Sequence, residues 1–184
     1  QIDDLLDTRI LHVGGVGLMN RMDDSGRTEE ILREAKKRGV ITTLDVFAST
    51  PADLPKVARL LPYTDYFLPS EEEARALSGL TGNRELAQFL LDRGAACVIL
   101  TLGADGAFYR HRDGTEFHTP AFQVEVKCTC GCGDAFNGGF ATGLIKGLSP
   151  RDAVQLAQAS SAQNATGLGS QAGVRDYATT LEFI

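Results

Sequence analysis

The sequence predicts an α/β protein, a mostly parallel sheet flanked by helices on both faces. Two observations carry that expectation. Short apolar runs at residues 10–13, 40–44, 66–68 and 97–100 alternate with amphipathic helical stretches, the pattern of strands joined by crossover helices. Glycine-rich turns then follow several strand ends. In an open parallel sheet, the carboxyl ends of strands are where ligands collect.

Taken in order, residues 10–13 form the first strand and end at Gly14-Gly15. Residues 28–37 read as helix, with Ile31, Leu32 and Ala35 on one stripe and Gly39 as the stop. Residues 40–44 return to strand and end at Asp45. Residues 54–61 carry a helix with Pro55 near its start, where a missing N–H does no harm. Strand 66–68 is closed by Pro69. Ser70 can then cap a helix, with Glu73 at the capping-box position three residues on. Residues 84–93 are helical up to Gly94. Residues 97–100 are wholly apolar and expected at the centre of the sheet.

A glycine turn at 101–106 leads into strand 107–109. Asp113-Gly114 is a hairpin signal that returns 115–118 onto that strand. Residues 135–146 read as a helix rich in small residues. Ser149-Pro150 restarts a helix as cap and first helical position, running to about residue 166, and 167–173 is a glycine-rich loop. No repeat, low-complexity tract or linker interrupts the chain, so residues 1–184 are read as part of one domain.

At 184 residues, with 43% hydrophobic and 23% charged side chains, the chain can bury a core and is not disordered. A net charge of -6 argues against nucleic-acid or anionic-membrane partners, and no apolar run is long enough to span a bilayer. The start, Gln1-Ile2-Asp3-Asp4, has neither signal-peptide character nor a usual initiator. The chain is therefore expected to begin partway through a larger protein. Cys128, Cys130 and Cys132 alternate, too close together to staple a fold. A structural zinc site needs about four ligands, and Cys97, His12, His111 and His118 stand at no recognised spacing from them. Reduced thiols in a cytoplasmic protein are the expectation.

The densest chemistry is Thr129-Cys130-Gly131-Cys132-Gly133-Asp134, followed by an apolar, small-residue helix. Gly131 and Gly133 permit a tight turn and clear the approach of a ligand. The helix start presents unpaired N–H groups and a partial positive charge, an anion site suited to phosphate. Asp134 at its mouth would repel phosphate, so it suits a base that takes a proton from an attacking hydroxyl. A tight strand-to-helix turn with a capping acid is the plainer reading of G-x-G-D alone. The glycine loops at 101–106 and 167–173 give it company. Together they outline a small-molecule kinase.

These residues resemble the ribokinase-like (PfkB) carbohydrate kinases. Cys128 to Asp134 is similar to the signature D-T-x-G-A-G-D, continued by residues 135–140. Residues 101–106 resemble the nucleotide loop T-L-G-x-x-G, and Pro69 to Glu73 the segment P-N-x-x-E. The resemblance implies a ribokinase-like sandwich, with this chain as the C-terminal portion of the kinase domain. It implies phosphorylation of a sugar hydroxymethyl group by ATP. Asp134 is then the base, and the N–H groups of Gly131, Cys132 and Gly133 hold the charge on the transferred phosphoryl. Thr101, Gly103 and Gly106 contact ATP, and Gln158 lies near the adenine or ribose or else faces solvent. Glu73 organises Mg²⁺ through water, caps its helix, or does both. Asp45 faces the substrate or caps a loop. The partners implied are a small-molecule sugar and, at most, a second copy in a homodimer, with no nucleic acid and no membrane.

Three departures stand out. The family's N-terminal portion, which would carry early sheet strands, the lid and most sugar-contacting residues, is expected to be absent from this chain. Cys128 replaces the first acid of the signature, and a neutral thiol is a poor ligand for hard K⁺, which counts against K⁺ activation. Ser70 replaces an asparagine. A nucleoside or vitamin kinase of the same fold is the nearest rival, and a noncatalytic nucleotide-binding protein the more distant one.

Overall fold

The computed structural model describes residues 2–47 and 50–184. The chain runs from α1 (Ile2–Leu6) through β1 (Ile10–Val16), α2 (Asn20–Ser25), α3 (Arg27–Lys37) and β2 (Ile41–Val46) to α4 (Leu54–Ala58). Then come β3 (Tyr66–Phe67), α5 (Glu71–Ser78), α6 (Asn83–Leu91), β4 (Cys97–Thr101), β5 (Ala107–His111) and β6 (Glu116–Thr119). The helices α7 (Cys132–Ile145), α8 (Pro150–Ala165) and α9 (Tyr177–Phe183) complete it.

Among the described residues the strands form one sheet in the order β1-β2-β3-β4-β5-β6. The first four run parallel, with Thr43 opposite Tyr66 and Phe67 opposite Val98. β5 returns antiparallel to β4, since Leu102 N–H bonds to Gly106 O at one end and Arg112 N–H to Ala96 O at the other. The 113–114 turn closes as expected, with Gly114 N–H on His111 O at 3.1 Å. β4 is interior, and Cys97 to Leu100 are fully buried. This is why its sequence is apolar without alternation.

The helices α1, α2 and α9 were not read from the sequence, and three elements that were read have other bounds. The helix read at 54–61 stops at Ala58 and gives way to a 3₁₀ turn at Leu61–Tyr63, because Pro62 has no N–H to continue an α-helix. β1 runs on through Gly14 and Gly15 to Val16, with a break in register between Val13 and Val16. α7 begins at Cys132 rather than 135.

The chain divides into two compact units, residues 1–100 with 108–116, and residues 101–107 with 117–184. In the first, Leu32, Leu44, Phe67, Leu86 and Ile99 are wholly buried. Each such side chain contributes roughly 1.5–3 kcal/mol relative to exposure. In the second, α7 and α8 cross almost backbone to backbone. A Cβ on Gly143 would stand 2.8 Å from Ala153 Cα, and one on Gly139 would stand 2.9 Å from Ala157 Cα. α7 is thus packed closely along α8. Phe136 and Phe140 of α7 are both buried. Among the described residues no helix is long and apolar enough to cross a membrane.

Candidate active site

The second unit carries the G-x-G-D segment. Gly131 is the N-cap of α7 with φ 72° and no side chain to cap it. The left-handed conformation suits glycine, and a Cβ here would also run into the Ser170 carbonyl and stand 2.9 Å from Ser170 Cα. Gly133 lies inside the first helical turn, and a Cβ there would meet nothing within 4 Å. The turn read around both glycines therefore belongs to Gly131 alone. At Gly133 the missing side chain leaves open space over the helix end.

The donors at this end are unequal. Cys132 N–H is already bonded to Thr129 O at 3.2 Å. The N–H groups of Gly131, Gly133 and Asp134 make no hydrogen bond among the described residues. Of the donors read for the anion site, Gly131 and Gly133 are thus open while Cys132 is taken, and Asp134 N–H is open beside them. Asp134 occupies the third helical position, and its carboxylate is exposed with no hydrogen bond or ion pair among the described residues.

Beside the start of α7 is a cavity of about 290 Å³ whose lining includes Gly103, Phe122, Val124, Val126, Cys132 and Gln158. Its size and apolar wall suit a flat heteroaromatic group. Gly103 and Gln158, read as nucleotide contacts, meet in this cavity. Gln158 is only 5% exposed and its Nε2 donates to Thr119 O at 3.4 Å, so its solvent-facing alternative is overturned. It is buried because α8 packs on most of its circumference, with Leu156, Ala157 and Ala159 buried around it. Gly106 does not line the cavity. Its φ is 97° and a Cβ would collide with the Thr119 carbonyl, so it is needed for the turn itself. Thr101 ends β4, half-buried, and is likewise outside the lining.

The wall of Phe122, Val124 and Val126 was not read from the sequence. Its signal is the alternation of apolar residues after Pro120, in a stretch that forms no strand. Val126 is 59% exposed, an apolar surface that a ligand would cover. Phe122 is steadied by the ring of Phe183 in α9 at 5.2 Å between centroids.

In the first unit, Ser70 caps α5 as expected. Its Oγ accepts Glu73 N–H at 3.2 Å, while Ser70 N–H and Oγ–H both donate to Glu73 Oε2 at 2.8 Å. Glu73 is half-buried and held in place by this box. A fixed carboxylate is the hard oxygen donor that Mg²⁺ favours, commonly through water. Asp45 sits half-buried near the end of β2.

The model of the pfkB family carbohydrate kinases matches residues 1–176. The chain belongs to that family. This pfkB-family chain is 35% identical over 155 residues to a ribokinase of Haemophilus influenzae, covering 82% of this chain and 49% of that protein. It is 33% identical over 181 residues to an ATP-dependent 6-phosphofructokinase of Thermoanaerobacterium thermosaccharolyticum, covering 94% and 55%. Among solved structures, an aminoimidazole riboside kinase from Salmonella enterica, complexed with aminoimidazole riboside and an ATP analogue, superposes with a TM-score of 0.79. The two are 27% identical, and the match covers 95% of this chain and 62% of the other. The chain spans about half the length of the curated relatives it matches. Its fold is the α/β fold of ribokinases.

Proposed function

We propose that the full-length protein transfers the terminal phosphoryl group of ATP to a hydroxymethyl group of a sugar. The observation that carries this reading is the Asp134 carboxylate, unpaired among the described residues, beside three open backbone donors at the start of α7. Asp134 takes the proton of the attacking hydroxyl, which raises its nucleophilicity at the moment the bond to phosphorus forms. The N–H groups of Gly131, Gly133 and Asp134, with the dipole of α7 behind them, hold the charge on the phosphoryl oxygens. The adenine lies against Phe122, Val124 and Val126, with Gly103 and Gln158 at the same cavity. Bound Mg²⁺ neutralises phosphate charge, and Glu73 orders its water shell. Cys128 supplies sulfur rather than carboxylate oxygen, so turnover is expected to depend little on K⁺.

The test is ADP release by the full-length protein over a panel of pentoses, hexoses and nucleosides with Mg²⁺ and ATP. A sugar turned over well above the ATPase background supports the reading. Turnover of nucleosides alone would move the substrate to that class. ATP binding without turnover of any acceptor would leave a nucleotide-binding protein.

A further inference from the structure

The segment before α7 carries thiol chemistry that phosphoryl transfer does not use. Cys130 N–H donates to Cys128 Sγ at 3.4 Å. Cys128 is partly exposed and Cys130 exposed. Donation to its sulfur favours the thiolate: the backbone N–H groups of Cys130 and Gly169, with the Cys130 thiol, hold Cys128 below the ordinary thiol range, while Cys128 holds Cys130 above it. Cys97 is the contrast, since it is buried and burial pushes its thiol far up, which makes it inert. Cys132 is committed to the helix start, where its Sγ faces Cys128 O and Asn164 Nδ2, each at 3.9 Å.

We propose that Cys128 and Cys130 form a reversible disulfide driven by a hydroperoxide, and that closing it disables the phosphate site at the start of α7. The Cys128 thiolate attacks the peroxide, forming an S–O bond and breaking O–O, and the departing oxygen is protonated to water. The Cys130 sulfur then attacks Cys128 Sγ, forming S–S and breaking S–O, and the thiol proton leaves with the second oxygen as water. Two electrons pass from the dithiol to hydrogen peroxide, giving one disulfide and two waters.

The bridge acts on the loop because both ends of it are anchored. Lys127 and Cys128 donate to Ala165 O at 2.8 and 3.2 Å, and Gly131 is wedged against Ser170. A ring closed across the single residue Thr129 must therefore distort residues 129–131. Thr129 O would release Cys132 N–H, bonded at 3.2 Å, and Cys130 O would leave Asn164 Nδ2, bonded at 3.0 Å. A strained bridge is also readily reduced by a dithiol, so the change reverses. The loss of function rests on reading the start of α7 as the phosphate site; the bridge itself does not.

The experiment exposes reduced full-length protein to a small excess of hydrogen peroxide, caps remaining thiols with iodoacetamide, and reads intact mass, peptide map and turnover together. The expected result is loss of two hydrogens, a map that joins Cys128 to Cys130, and turnover reduced about tenfold or more and restored by dithiothreitol. Cys130→Ser should keep its own untreated rate, with Cys128 trapped as sulfenic acid by dimedone. A bridge through Cys132, a bridge between chains, or a bridged protein with undiminished turnover would overturn the proposal. Reduced protein that bridges at 128–130 yet phosphorylates no acceptor would support the bridge and contradict the kinase reading.

Discussion

Two helices of this protein carry an acid at the same third position and use it in opposite ways. In α5, Glu73 folds back onto Ser70, and the cap and the acid satisfy each other's donors at 2.8 and 3.2 Å. In α7 the cap is Gly131, which has no side chain to offer, and Asp134 does not fold back. A sealed helix start gains stability, typically about 1 kcal/mol per cap. An open one forgoes that and keeps its N–H groups and its carboxylate for a ligand. The difference traces to one residue type at the cap, serine against glycine, and it separates an acid fixed against its own cap from one left open to a ligand.

That contrast can be broken most severely at Asp134. Asp134→Asn should lower kcat by roughly 10²–10⁴-fold, the usual scale for removing a general base. ATP affinity should persist, because asparagine keeps the shape and removes a repulsive charge. Near-normal turnover of the folded variant would make Asp134 no more than a helix residue.

The two glycines sharpen the comparison. Gly131→Ala forces a positive φ on an L-residue and drives a methyl toward Ser170, so its melting temperature should fall by the equivalent of roughly 1–3 kcal/mol. Gly133→Val meets open space and should melt near wild type while raising KM for ATP. Equal thermal losses in both variants would mean that Gly133 is also a turn residue. At the sealed helix, Ser70→Ala should cost about 1 kcal/mol in urea denaturation, and an unchanged midpoint would show that the box holds little.

The smallest effect is at the β5–β6 turn. Thr115 N–H on the Asp113 carboxylate, with the His111 side chain and the Thr115 side chain, lowers its pKa to about 2. A depressed carboxyl contributes stability above its unfolded value of roughly 3.9. That contribution is lost as pH falls through the folded value. Titration of Asp113 by NMR near 3.9 would remove it.

The parallel strands were legible because interior strands read as apolar runs, most clearly Cys97 to Leu100. The capping box at Ser70 was legible because its chemistry is local. The start of α7 was misplaced by three residues, since Gly131, Cys132 and Gly133 are poor helix formers and tertiary packing extends the helix through them. Contact of Gly139 and Gly143 with α8 holds it there. Gln158 could be read either way, because burial of a whole helix depends on neighbours that its own periodicity does not show. Phe122, Val124 and Val126 went unread for the same reason: their alternation mimics a strand, yet they line a cavity without joining the sheet.

The central claim is that the start of α7 is left open for phosphate while that of α5 is sealed. Amide hydrogen exchange of the full-length protein, followed residue by residue with and without Mg²⁺ and a nonhydrolysable ATP analogue, tests it most directly. Gly133 and Asp134 amides should exchange quickly in the free protein and become protected on nucleotide addition. The amides of Ser70 and Glu73 should be protected in both states. Nucleotide binding that leaves Gly133 and Asp134 unprotected would contradict the account.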